Sequence, residues 1–283
     1  MRSPEISKIS FEHLPDNVTI LNIKHELFSA RVCLHGGHVL SWQPRGQEDV
    51  FWLSDTSKYG GNSAIRGGIP ICWPWFGERK GDRNHGFARN SLWQLDECAS
   101  STEGVEVVLT LTGVAEMPTW QHEYKLTQRL FFGSHFKQSL IIGNASEKPF
   151  EFCGALHSYF NVSDTSEVIV PQLTSVPYDD KIEQLTDCIS DEAVTGVGPI
   201  DRVYHSNETM TIIDQTWRRM INIESNLCAQ RVYWNPGQAV ASVMPDIHEG
   251  GEKRFVCFEV ANTIYMTIEP GRSHTMQQII TLA

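Results

Sequence analysis

The chain has 283 residues, 41% of them apolar and 10% aromatic, and a formal charge of -11. This composition supports a sizeable core and excludes a disordered chain, and the acidic balance argues against a nucleic-acid binder, whose surface must be broadly basic. A few local cations can still hold one small anion against such a background.

In chain order, the opening MRSPEISKIS has no apolar leader core, and no later run reaches the ~20 apolar residues that a membrane helix needs. No membrane partner and a cytoplasmic location are expected. Period-two alternation or apolar clustering rich in Val, Ile, Leu and Phe predicts strands at 17–23, 28–34, 105–112 and within 124–142. Further strand patterns fall at 167–170, 209–213, 220–224, 231–234, 255–260, 263–268 and 275–282. Only a few stretches, such as 48–53 and 179–188, leave room for helical turns. No linker, charge block or repeat divides the sequence, so a single domain over 1–283 is expected. Its class is all-β, with many strands packed as a sandwich of two large sheets. The seven cysteines form no C-x-x-C pair and are dispersed through a long chain, which does not suggest a disulfide framework.

The least regular stretch is IRGGIPICWPWFGERKGDRNHGFARN, residues 65–90. Gly67 and Gly68 permit positive φ or close backbone approach. Trp73, Pro74 and Trp75 form a stiff aromatic wall, suited either to the apolar face of a sugar or to capping the core. Arg66, Arg79, Lys80, Arg83 and Arg89 outnumber Glu78 and Asp82, so the stretch is locally cationic. Planar guanidinium groups bind phosphate oxygens bidentately, which suits a sugar phosphate. A solvated loop is the better reading for Arg79 and Lys80, whereas Arg66 and Arg89 stand beside glycine or aromatic residues.

IRGGIPICWPWFG followed by NHGFARN resembles the signature of the hexose-6-phosphate mutarotases, a group within the galactose-mutarotase-like superfamily. FCGALHSYF at 152–160, IDRVYH at 200–205, VYWNP at 232–236, FVCFEVA at 255–261 and EPG at 269–271 follow in the matching order. The resemblance implies a large antiparallel β-sandwich, the supersandwich of that superfamily, and interconversion of the α and β anomers of a hexose 6-phosphate. It implies His157 as catalytic acid and Glu259 as catalytic base. Asp201 is implied near the ring oxygen, His85 on sugar hydroxyls, and Arg66 and Arg89 on the phosphate, with Trp75 in the aromatic wall.

The chemistry needs one group to take the C1 hydroxyl proton and another to protonate the ring oxygen. Neither a metal nor another cofactor is required, and the partner is a small sugar phosphate bound by a protein expected to be monomeric. From residues alone, Glu259 in FVCFEV is either a buried carboxyl with a raised pKa or the solvent-facing member of an alternating strand. His157 beside aromatics, on residues alone, reads more readily as a hydrogen-bonded core histidine. His35 and His38 in LHGGHV read as a structural glycine turn rather than metal ligands, and GEKRF after Gly250 as a solvated hairpin tip. Gly237 stands where the resemblance implies an aromatic. An epimerase of unphosphorylated aldoses and a sugar-phosphate-binding module without turnover are the alternatives.

Overall fold

The computed structural model describes residues 7–61, 63–115, 117 and 119–283; residues 1–6, part of the opening MRSPEISKIS, lie outside them. Strands β1 (Ser7–Leu14), β2 (Val18–His25), β3 (Phe28–Cys33) and β4 (His38–Pro44) pair in sequence order as a four-stranded sheet. After the irregular stretch that carries β5 (Ile71–Cys72) comes a meander of β6 (Gln94–Ser100), β7 (Gly104–Val114), β8 (Glu123–Gly133) and β9 (Phe136–Asn144). Next are β10 (Phe150–Leu156), β11 (Tyr159–Asn161), β12 (Val168–Val170), β13 (Tyr178–Asp180), β14 (Leu185–Cys188) and β15 (Val194–Thr195). The chain continues through β16 (Ile200–Tyr204), β17 (Met210–Asp214), β18 (Arg219–Glu224) and β19 (Gln230–Asn235) to helix α1 (Gly237–Ala241). It ends with β20 (Phe255–Ile268) and β21 (Ser273–Leu282).

An eight-stranded sheet runs β14-β13-β16-β19-β20-β10-β5, with β11 also on β20, and a nine-stranded sheet runs β15-β12-β17-β18-β21-β9-β8-β7-β6. Every ladder between these strands is antiparallel. The fold is that of an all-β antiparallel sandwich. Its main core draws Leu126, Leu130, Phe136 and Met276 from the larger sheet against Phe152, Leu156, Phe258 and Val260 from the other. Burying such a side chain contributes roughly 1.5–3 kcal/mol, and period-two alternation puts one on every second position.

The pattern at 124–142 is two strands, β8 and β9, turned at Ser134 and His135, whereas the patterns at 255–260 and 263–268 fuse into β20. Neither stretch read as helical is a helix. Residues 48–53 run extended, with Asp49 accepting the N–H groups of Trp42 at 3.1 Å and Phe51 at 3.0 Å. A carboxylate used this way ties the segment to β4 instead of letting it coil. Residues 179–188 form the hairpin β13–β14, whose turn is closed by Asp180 accepting from Ile182 and Glu183, each at 3.0 Å. The GEKRF segment is not a solvated tip. Gly251 and Glu252 are buried in a 3-10 turn, and the Asn235 amide donates to the Glu252 carbonyl at 2.8 Å.

Candidate active site

Register brings the two candidate catalytic residues together. Strand β10 pairs Leu156 with Val260, and β11 pairs Tyr159 with Cys257, both on β20. Carried through the two-residue gap, that register sets His157 opposite Glu259, within side-chain reach. The Phe258 N–H donates to the Ser158 carbonyl at 3.0 Å inside the gap, so the pairing never lapses. His157 Nε2 lies 3.3 Å from Glu259 Oε1.

Glu259 is 1% exposed, which settles its orientation. Along β20, Val256, Phe258 and Val260 enter the main core, while Cys257, Glu259 and Ala261 face the other way. On that second face, register aligns Glu259 with Val232 and Val203, and Cys257 with Trp234 and Asp201. These rows form the floor of a cleft of about 810 Å³, within the range of small-molecule sites. Phe76, His85, Arg89, Arg66, Lys181 and Thr263 stand among its other lining residues.

Glycine sets the path of Arg66 into this cleft. Gly67 and Gly68 have φ of +108° and +60°, and a Cβ on them would lie 2.4 Å from the Trp52 carbonyl and 2.2 Å from the Val39 carbonyl. Only glycine lets the chain thread between those two carbonyls. Arg66 then donates from Nε to Asp246 at 3.0 Å and from Nη1 to the Tyr159 hydroxyl at 2.8 Å. Two of its five N–H groups are committed to these bonds, and a third faces Asp246 across a 3.0 Å ion pair.

Arg89 follows from Gly86, whose missing Cβ allows contact with the Trp73 carbonyl, and sits in a 3-10 turn at Ala88–Asn90. It donates to the Asn84 carbonyl at 2.8 Å, while its Nε is buried without a partner among the described residues. His85 closes the neck of the loop: its Nδ1 accepts from Gly77 at 3.2 Å and its own N–H donates to the Gly77 carbonyl at 2.9 Å. The neutral ring therefore carries its proton on Nε2 as a donor. Burial, then Arg89 and Arg66, push this imidazole down to about 3, so it stays neutral.

The electrostatics of the central pair follow from burial. Glu259 is pushed well above the carboxylate range by burial and then by Asp201, with Arg89 opposing. His157 is pushed well below the usual imidazole range by burial, and then by His85, Arg89 and Arg66. Asp201, itself raised by burial, acts on the neighbouring Glu259. The outer atoms Nδ1 of His157 and Oε2 of Glu259 are buried without partners among the described residues.

Six of the seven expected site residues, His157, Glu259, Arg66, His85, Arg89 and Asp201, line the one cleft. Trp75 does not. It is fully buried, donates to the Arg83 carbonyl at 3.0 Å and lies under the Arg79 guanidinium at 4.8 Å. Trp73 likewise packs inside, 5.0 Å from the rings of Trp120 and Tyr124. The aromatic surfaces of the cleft are Phe76, Tyr159 and Trp234. Gly237 is not a lost platform residue but a backbone requirement, since its φ is +67° and a Cβ would lie 2.7 Å from Pro199 N. Sequence reasoning missed Lys181, a solvent-exposed residue after β13, and Asp246's grip on Arg66. Neither carries a local signal. His38, from the glycine turn, is fully buried, with Nε2 2.7 Å from the Gly67 carbonyl.

The model of the aldose 1-epimerase family matches residues 19–281. A protein of Escherichia coli K12, provisionally named glucose-6-phosphate 1-epimerase, is 34% identical over 263 residues, 91% of this chain and 87% of that one. A Salmonella typhimurium protein of the same provisional name is 35% identical over 256 residues, 89% of this chain and 85% of its own. A crystal structure from Salmonella typhimurium, described provisionally as a mutarotase, superposes with a TM-score of 0.90 at 33% identity, covering 97% of this chain and 93% of that chain. Galactose 1-epimerase from Lactobacillus acidophilus shares the fold, with a TM-score of 0.70 at 13% identity over 98% of each chain.

Proposed function

This chain belongs to the aldose 1-epimerase family, and from that premise we propose that it interconverts the α and β anomers of a hexose 6-phosphate, glucose 6-phosphate first among them. The observation that carries the reading is the His157–Glu259 pair, 3.3 Å apart on the floor of the cleft. Anomer exchange needs one protonated and one unprotonated group beside two oxygens bonded to the same carbon. The base takes the proton of the C1 hydroxyl as the acid delivers one to the ring oxygen. The C1–O5 bond breaks to an aldehyde, the C1–C2 bond rotates, and O5 attacks the other carbonyl face while both protons return.

Glu259 as base and His157 as acid require the pair in its ionised form, which burial disfavours. Arg66 and Arg89 add to that cost at His157. A phosphate dianion on the same guanidinium groups cancels their field, and so favours the imidazolium when the phosphorylated sugar is bound. His85 Nε2–H and Asp201 face the sugar hydroxyls, and Phe76, Tyr159 and Trp234 cover its C–H surfaces. With Arg66 partly committed to Asp246, Arg89 and Lys181 supply the freer charges for the phosphate. The seven thiols, none in a disulfide, support the cytosol, and the net charge of -11 supports a small-molecule partner rather than nucleic acid. We read the chain as one monomeric domain.

The test is exchange spectroscopy on the anomers of glucose 6-phosphate, glucose and galactose at equal enzyme concentration. The reading expects acceleration of the phosphate at the greatest efficiency. Equal efficiency on the free sugars moves the assignment to unphosphorylated aldoses, and tight hexose-phosphate binding without exchange moves it to a binding module.

A further inference from the structure

Three glutamines occupy inward positions of the nine-stranded sheet where the alternation otherwise places Leu, Ile, Phe and Met. They are Gln128 on β8, Gln138 on β9 and Gln278 on β21, all 0% exposed. Register puts Gln278 directly opposite Gln138, and Gln128 on the diagonal from it. The amides form one directed chain: Gln278 donates to Gln138 at 2.7 Å, Gln138 to Gln128 at 2.6 Å, and Gln128 to the Gly37 carbonyl at 2.6 Å. The chain also crosses to the opposite sheet. Ser158 Oγ and the Gln278 amide bond twice, at 3.0 and 3.1 Å, and Ser158 is likewise fully buried.

A row of buried amides is a costly way to fill a core that leucine and methionine would fill without desolvating polar groups. Its two ends explain the choice of residues. Ser158 is the second residue of the gap between β10 and β11, immediately after His157, and its carbonyl receives the N–H of Phe258, immediately before Glu259. At the far end, Gly37 follows Gly36, whose N–H donates to the Ser91 carbonyl at 2.7 Å and whose Cα faces the Arg89 carbonyl so closely that a Cβ would lie 2.7 Å from it. The row thus spans the sandwich from the turn beneath Arg89 to the backbone joint between His157 and Glu259.

We propose that Ser158, Gln278, Gln138 and Gln128 are positioning residues that fix the His157–Glu259 joint against the Arg89 turn. This rests on the anomer-exchange reading for its kinetic consequence, but not for its structural one. The joint is tied to β20 by the Phe258 N–H on the Ser158 carbonyl, and to the nine-stranded sheet by the Ser158 hydroxyl. A fully satisfied buried network is rigid because every alternative arrangement leaves a polar group unpaired. Removing the Ser158 hydroxyl frees the joint to shift, and reacting groups are sensitive to displacements of an ångström or less.

The experiment compares Ser158→Ala, Gln278→Met and Gln128→Met, with Ser158→Thr as the hydroxyl-keeping variant. The readouts are kcat and KM for glucose 6-phosphate anomer exchange, and the ring ¹⁵N chemical shifts of His157. We expect Ser158→Ala and Gln278→Met to lose tenfold or more in kcat with KM within twofold, and to move the His157 shifts. Gln128→Met, three links away, should change kcat less at a similar loss of Tm, and Ser158→Thr should recover most of the rate. Wild-type kcat and unmoved His157 shifts in folded Ser158→Ala would overturn the proposal and leave the row as core structure only. If Gln278→Met does not fold, Ser158→Ala, which deletes a single oxygen, decides alone. A wild-type protein without exchange would count against the anomer-exchange reading, and the ¹⁵N shifts would still decide this one.

Discussion

The imidazole of His157 lies flat on the ring of Tyr159, with centroids 4.9 Å apart and planes 9° from parallel. Tyr159 in turn accepts a hydrogen bond from Arg66, which Asp246 holds from its other side. The orientation of the candidate acid therefore depends on a guanidinium group that it does not touch. Tyr159→Phe keeps the ring stack but strips Arg66 of an acceptor in a partly buried place, a loss of about 1 kcal/mol. The expected outcome is a fall in kcat of about tenfold and a lower Tm, read by exchange spectroscopy and thermal unfolding. An unchanged kcat would mean that the stack alone orients His157.

Glu259→Gln separates binding from turnover. The amide keeps size and burial but cannot take a proton, so exchange should fall by about 10²–10⁴ while Kd for glucose 6-phosphate changes little. The substitution also has a pH-dependent effect on stability. Burial and Asp201 raise the folded pKa of Glu259 above its unfolded value. Its contribution is complete below the unfolded carboxylate pKa and is lost as pH rises through the folded one. The variant should therefore gain on the wild type as pH increases, measured by urea unfolding from pH 5 to 9. A constant difference would place Glu259 in a less desolvated setting.

Fold and site were unequally legible in the sequence. Alternation located most long strands because a two-sided sheet buries every second residue, and β8 and β20 show it plainly. The Gly67–Gly68 pair was readable because positive φ and missing Cβ space leave no other residue. The pairing of 157 with 259 had no signal in spacing, since it depends on register across a gap more than a hundred residues away in sequence. Trp75 misled because tryptophan in an irregular loop serves a sugar wall and a core cap with the same composition. Asp49 and Asp180 turned two helical-looking stretches into extended chain through backbone hydrogen bonds that periodicity does not encode.

Arg89 should govern selection of the phosphate. Among the described residues its Nε is buried without a partner, and its guanidinium donates to a backbone carbonyl. Arg89→Met removes a charge-assisted contact worth about 1.5–3 kcal/mol, a rise in KM of roughly 10–100-fold for glucose 6-phosphate. Free glucose should show no comparable change. Equal losses on both sugars would assign Arg89 to the loop and not to the phosphate.

Acid should weaken the fold through His38. Burial, and then Arg89 and His35 against the favourable Gly67 carbonyl, lower this imidazole to about 4 from an ordinary 6.5. Its Nδ1 is buried without a partner among the described residues, so protonation places an unmatched proton there. Because the folded pKa is depressed, the contribution is present above pH 6.5 and disappears as pH falls toward 4, about 3 kcal/mol in all. His38→Gln should flatten the stability profile between those values in chemical unfolding. A variant with the wild-type slope would assign the acid sensitivity elsewhere, with His85 the next group in line.

The most direct measurement is magnetisation transfer between the α and β anomers of glucose 6-phosphate, recorded with wild-type protein, Glu259→Gln and His157→Ala. The account predicts catalysed exchange by the wild type that is lost in both folded variants while the sugar phosphate still binds. Undiminished exchange in Glu259→Gln, or none in the wild type, would contradict it.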